Sequence, residues 1–222
     1  MKMQKHWQMK VSVVALAVLA IAGVGLTAVN ARAASDSVQL TFKYTLLQGT
    51  CDVSVGSDGM NGLLAFGDIS TANMTAKNWD PLVSVSAAKK PFKVILSNCS
   101  GSPLSTTTPV LYLTGNTDTE TGNSVNKSFM FRESGSTAKG VGFAIYKNNT
   151  SSNASDLVAV VTSGEADARK YIDVGSKGAV AVNKTIDLNA IVTCGSTCSA
   201  SDKANMRAGD LNASVTFNFD YH

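Results

Sequence analysis

Two stretches of this 222-residue chain alternate apolar and polar side chains without a break, and they lie near its opposite ends. In residues 38–46, Val38, Leu40, Phe42, Tyr44 and Leu46 fall on one face, and Gln39, Thr41, Lys43 and Thr45 on the other. In residues 211–221, Leu211, Ala213, Val215, Phe217, Phe219 and Tyr221 share a face in the same way. A period of two marks a half-buried strand. Strands at chain ends fray unless something ties them down, so each of these apolar faces needs a cover. The first stretch suits the opening strand of a sandwich. Its position, just after a candidate cleavage site and just before a cysteine, also suits an arm that pairs with another molecule.

Between the two ends the alternation recurs in short pieces. Residues 51–55, 63–66, 90–99, 110–113, 128–132, 141–146, 157–161, 170–174 and 185–193 read as strands. Pro91 stands at the start of its piece, where a strand tolerates it. Residues 70–81, 116–126, 134–140 and 147–155 read as loops, the last almost wholly polar and exposed, and Trp79 reads as a core or loop-anchoring residue. After residue 33 no run of twelve holds a helical period. Strands at about ten-residue intervals argue a β-sandwich, and no linker or repeat divides it.

The first 33 residues stand apart. Lys2, Lys5 and Lys10 precede an apolar run over 11–26, and Ala31-Arg32-Ala33 offers small residues where a signal peptidase reads. This is a secretory signal; a membrane anchor is the alternative for a run of that length. Of the 19 Lys and Arg, four fall in this leader, leaving 15 against 16 Asp and Glu, a formal charge of −1. The basic balance thus belongs to the leader, and nothing in the charge calls for a nucleic-acid partner.

All four cysteines, Cys51, Cys99, Cys194 and Cys198, follow the leader. An even count in an exported chain reads as two disulfides. Of the three pairings, the short spacing around Gly195 and Ser196 favours Cys194–Cys198, which leaves Cys51–Cys99. A metal site would need all four, because the exported part has one histidine, His222. No metal or cofactor is expected. An enzyme is not expected either. The lone histidine is the last residue, which leaves a Ser or Cys nucleophile without a partner base. Asp118 with Glu120, and Glu165 with Asp167, read as solvated turn residues.

Several motifs together resemble the subunits of chaperone–usher pili, of the type 1 fimbrial subunit family. A signal peptide is followed by a short alternating arm and Cys51. Cys99 closes a strand of the form Phe-Lys-Val-Ile-Leu-Ser-Asn-Cys. Gly-Val-Gly-Phe-Ala-Ile-Tyr occupies residues 140–146. The end reads Ala-Gly-Asp-Leu-Asn-Ala-Ser-Val-Thr-Phe-Asn-Phe-Asp-Tyr-His, with Gly209 fourteenth from the last residue and Tyr221 penultimate.

The resemblance implies an all-β fold: an incomplete immunoglobulin-like β-sandwich that lacks its last strand and carries an N-terminal donor strand. It implies a signal peptide at 1–33, a donor arm at 34–47 and a pilin domain at 48–222. Val38, Leu40, Phe42, Tyr44 and Leu46 would enter a neighbouring subunit's groove. Gly209, Val215, Phe217, Phe219 and Tyr221 would serve the groove and the periplasmic chaperone that first fills it. The implied partners are that chaperone, an outer-membrane usher and neighbouring subunits, and the implied place is the periplasm and then the cell-surface fimbrium. Strand addition of this kind is a known mode of recognition, of which pilus subunits are an established instance. The family's arms commonly have a glycine where this chain has Tyr44, and a tyrosine there asks for a roomier groove. The second Cys pair and the extra length leave a second reading open: a minor or tip-proximal subunit whose loops bind a host glycan or receptor.

Overall fold

A computed structural model describes residues 49–56, 62–70, 74, 77–83, 86–148, 153–199 and 204–222, all within one compact unit, Tyr44–His222. The leader and the arm positions Val38, Leu40, Phe42, Tyr44 and Leu46 lie outside the described residues. Among the described residues, seven strands form two antiparallel sheets. In chain order they are β1 (Thr50–Val55), β2 (Lys89–Ser100), β3 (Pro109–Gly115), β4 (Gly142–Tyr146), β5 (Tyr171–Asp173), β6 (Lys184–Thr193) and β7 (Val215–Tyr221). One sheet has the order β1-β2-β6-β4 and the other β5-β3-β7.

Side-chain alternation decides which face of each strand is inward. In β2, Phe92, Val94 and Leu96 are buried while Lys93 and Ile95 are exposed. Leu111 and Leu113 of β3 and Ile186, Leu188 and Ala190 of β6 join them in the main core. Burying one such side chain stabilises by about 1.5–3 kcal/mol, so this face fixes the register; a one-residue slip would turn it to solvent.

From Leu188 onward β6 is buried on both faces. A second cluster covers its outer side: Trp79, Phe129, Met130, Ala144, Tyr146, Leu157, Ala159 and Ile191. Trp79 therefore lies inside, edge-on to Phe129 at 5.8 Å, and its carbonyl accepts the Tyr146 hydroxyl.

This outer layer corrects several expected strands. Residues 128–132 begin instead in a helical turn, α1 (Asn126–Phe129), before isolated bridges of Phe131 to Thr117 and Phe143. Residues 157–161 are extended but form no ladder. The N–H groups of Val158, Ala159, Val160 and Val161 donate to four different segments, at Ile145, Arg169, Ser128 and Leu113. Leu157 and Ala159 face the outer cluster while Val158 and Val160 face the main core, so the segment is a wedge between the two. Lys170 closes a short helix, α2 (Asp167–Lys170), rather than opening a strand. Residues 63–66 and 211–214 are not strands either.

The cysteines pair as Cys51–Cys99 and Cys194–Cys198. The first lies at a bulge where the β1–β2 register shifts. Asn98, with φ 50°, makes the bulge and donates to Asp52 at 2.8 Å; Asn tolerates this left-handed backbone better than most residues.

Candidate strand-binding groove

Among the described residues β1 and β7 are each the last strand of their sheet, and the two approach each other without a ladder between them. The β7 register shows which groups face out. Thr108 and His222 exchange main-chain hydrogen bonds of 2.7 and 2.9 Å. Antiparallel alternation then turns the even residues of β7 toward β3. The N–H and C=O groups of Val215, Phe217, Phe219 and Tyr221 point the other way. Asp220 Oδ1 accepts the Tyr221 N–H at 2.7 Å. Those of Val215, Phe217 and Phe219 have no ladder partner among the described residues.

The same parity holds for β1. Gly56 donates to the Lys93 carbonyl at 3.1 Å, so Val53 and Val55 turn their main-chain groups away from β2. An unpaired edge of this kind is a template for another strand.

Between these edges lies an open groove of about 480 Å³. Its floor and walls include Val55, Phe66, Phe92, Phe143, Ile145, Ala190, Val215 and Phe217. Val53, Val55, Val215, Phe217 and Phe219 are only half-buried although they pack on the main core. Among the described residues, these apolar side chains are half-covered beside backbone that has no ladder partner.

The groove's end wall, residues 211–214, is held from behind by residues 133–138. Glu133 N–H donates to the Asn212 carbonyl at 2.8 Å, and the N–H groups of Thr137 and Ala138 donate to the Asp210 carbonyl. Ser136 Oγ donates to the Asn212 carbonyl and accepts the Asn212 N–H, both at 3.0 Å. Glu133 Oε1 accepts the Ser214 N–H at 3.2 Å and Oε2 accepts the Asn116 amide at 2.8 Å. The Asn116 hydrogen bond, with help from Ser214, holds the Glu133 carboxyl below the usual carboxylate range.

The buried Arg132 organises that backing loop. Its guanidinium donates to the carbonyls of Val141 and Ser136, each at 3.0 Å, and to that of Ala138. Glu120 lies 3.3 Å from it and 2.5 Å from Lys139. Asp118 and Glu120 are therefore not simply solvated turn residues. Asp118 is 2% exposed and accepts the Glu120 N–H and the Thr121 hydroxyl. Of the other pair, Glu165 sits 3.3 Å from Arg169, while Asp167 is largely exposed.

The remaining site residues fall as follows. Tyr221 is buried, and its hydroxyl accepts the Ala181 N–H at 3.0 Å. Gly209 lies outside the groove lining, where a Cβ would come within 2.5 Å of the Ala138 nitrogen; only glycine permits that approach. Sequence reasoning did not find Val55, Phe66, Ile145 and Ala190 as groove residues. Their strand-like spacing was visible, but which edge they share depends on sheet order. Arg132 gave no signal, because its hydrogen-bond acceptors are main-chain carbonyls and its carboxylate partner, Glu120, lies twelve positions away in sequence.

An all-β sandwich with an apolar groove between two open strand edges is the class of molecule these observations define. The chain matches the family model described as fimbrial protein over residues 40–222, and so belongs to the fimbrial protein family. It is a structural subunit of a surface pilus that contacts other pilus subunits, and it is not an enzyme. It is similar to the P pilus rod subunit PapA, known from a crystal structure, at 18% identity and a TM-score of 0.43, over 83% of this chain and 100% of that one. No curated protein sequence matches it.

Proposed function

We propose that this subunit polymerises by strand addition: residues 38–46 of one subunit fill the groove of the next. The observation that carries this reading is the pair of edges, on β1 and β7, that have no ladder partner among the described residues and flank an apolar groove. Nine extended residues span roughly 30 Å and the seven of β7 roughly 24 Å, so the arm is long enough to cover that edge. Burying Val38, Leu40, Phe42, Tyr44 and Leu46 at ~1.5–3 kcal/mol each contributes about 8–15 kcal/mol, before the cost of ordering the arm.

An open groove leaves a monomer incomplete. A periplasmic chaperone strand fills it before assembly, and an outer-membrane usher is the place of exchange. The free β7 edge and the half-buried Val215, Phe217 and Phe219 are the surface such a strand would use. The test is deletion of residues 35–47 with the cognate chaperone co-expressed. A soluble chaperone complex that cannot donate to a neighbour is expected, and fibres assembled by the armless chain would refute the proposal.

A further inference from the structure

We propose that a second cavity, which shares no lining residue with the groove, is a binding site for a neutral saccharide. The inference does not depend on how subunits join. The cavity holds about 540 Å³ and is lined by Glu120, Thr121, Asn123, Lys139, Thr197 and Asn205, with one glycine and one disulfide cysteine. Small-molecule sites span about 300–1,000 Å³, so the size suits a short saccharide. The walls are set before any ligand arrives. Asn126 is 1% exposed; its amide donates to Thr121 Oγ1 at 3.1 Å, and its Oδ1 accepts the Ser196 N–H at 2.9 Å and hydroxyl at 3.0 Å. Residues 121–126 are thereby fastened to the loop that Cys194–Cys198 closes. Gly195, with φ 81°, lets the two approach, because a Cβ there would collide with the Asn126 amide. Asp118, buried beneath, accepts the Thr121 hydroxyl. Polar groups fixed in this way cost little to order on binding.

The lining selects the ligand. Asn123 commits its Oδ1 to the N–H groups of Val125 and Asn126. Its amide nitrogen, the Thr197 hydroxyl and the Asn205 amide have no hydrogen bond among the described residues. Amides and hydroxyls between them both donate and accept, as a hydroxyl-rich ligand requires. The two charged groups of the lining, Glu120 and Lys139, neutralise each other at 2.5 Å, so an ionic ligand finds no free counter-charge there. No Val, Leu, Ile, Met or aromatic residue lines the cavity, so a peptide or lipid has no apolar anchor. A neutral saccharide meets all three conditions: many hydroxyls, no net charge and little apolar surface to cover.

The test uses intact fimbriae from the native host, carrying the wild-type chain, Thr197→Val, Asn205→Ala, or both substitutions. Both side chains are exposed, so the variants should assemble in wild-type amounts. The fimbriae are titrated on arrays of neutral oligosaccharides, one set of animal-cell type and one of bacterial surface polysaccharides, with sialylated and phosphorylated sugars beside them. Retention of a neutral oligosaccharide from either set is expected, and the set that retains it identifies the source. Each single substitution should weaken that binding about three- to tenfold and the pair about ten- to a hundredfold, as the loss of one and two hydrogen bonds implies. If the double variant yields no fimbriae, Asn205→Ala decides alone. Wild-type fimbriae that retain no neutral sugar, or only the charged ones, would overturn the proposal. So would variants that bind the same oligosaccharide as tightly as wild type.

Discussion

Arg132→Met should be among the most damaging substitutions outside the groove. Methionine keeps the apolar stem and most of the volume, so the packing loss is small. What disappears is the donor fork that serves the Ser136, Ala138 and Val141 carbonyls in a site only 4% exposed. A buried polar group left bare costs about 1–3 kcal/mol, and breaking a buried charged network costs about 3–5 kcal/mol in all. With an m-value near ~2 kcal/mol/M, the urea midpoint of the subunit complemented by an arm peptide should fall by roughly 1.5–2.5 M. Because residues 136–138 hold residues 210–212, the groove wall should loosen too, and arm-peptide exchange should quicken. Arg132→Lys should recover only part of the loss, since one ammonium cannot reproduce the planar fork. A Met variant within about 1 kcal/mol of wild type, or one with unchanged exchange, would refute the reasoning.

Tyr221→Phe leaves the Ala181 N–H without its acceptor and should cost about 1–2 kcal/mol in denaturant unfolding, with the ring's packing intact. Replacing Cys51 and Cys99 by Ala opens a loop with a sequence separation of 48 and should cost on the order of 4 kcal/mol, and the Cys194–Cys198 pair less, as read by thermal melts of the complemented subunit. Glu133→Gln should matter most near neutral pH. The folded carboxyl titrates below its ordinary value of 4.5, so its contribution is full above that value and is lost as pH falls through the lowered one. The gap between wild type and Glu133→Gln in urea midpoint should therefore close on acidification, and a gap that widened would contradict the assignment.

The strands that positioned the site were legible because one face of each is buried. Residues 90–99 and 185–193 announced β2 and β6 by alternation alone, and structure added only a residue or two at their ends. What stayed hidden was the outer layer. Residues 157–161 alternate as a strand does, yet the alternation serves two cores rather than core and solvent. Residues 128 and 129 end a helical turn, and Phe129 and Met130, adjacent in sequence, are both buried in the outer cluster, which no flat strand allows. Trp79 was readable as an interior residue, but its left-handed backbone, φ 59°, was not.

Under the strand-addition proposal the groove must not close on itself, and its two walls are secured in different ways. The β1 wall is tied covalently: Cys51 fixes the edge strand to β2 beside the bulge. The β7 wall is tied by hydrogen bonds from residues 133–138, which in turn depend on Arg132. Both sets lie within the described residues. On the proposed strand addition the receiving geometry would be in place before the arm arrives, and preorganisation of this kind lowers the ordering cost. If the β1 tether matters for this reason, reducing Cys51–Cys99 should slow arm capture even at low temperature, where the reduced chain is still folded. A reduced subunit that captures the arm peptide at the oxidised rate would show that the disulfide serves stability alone.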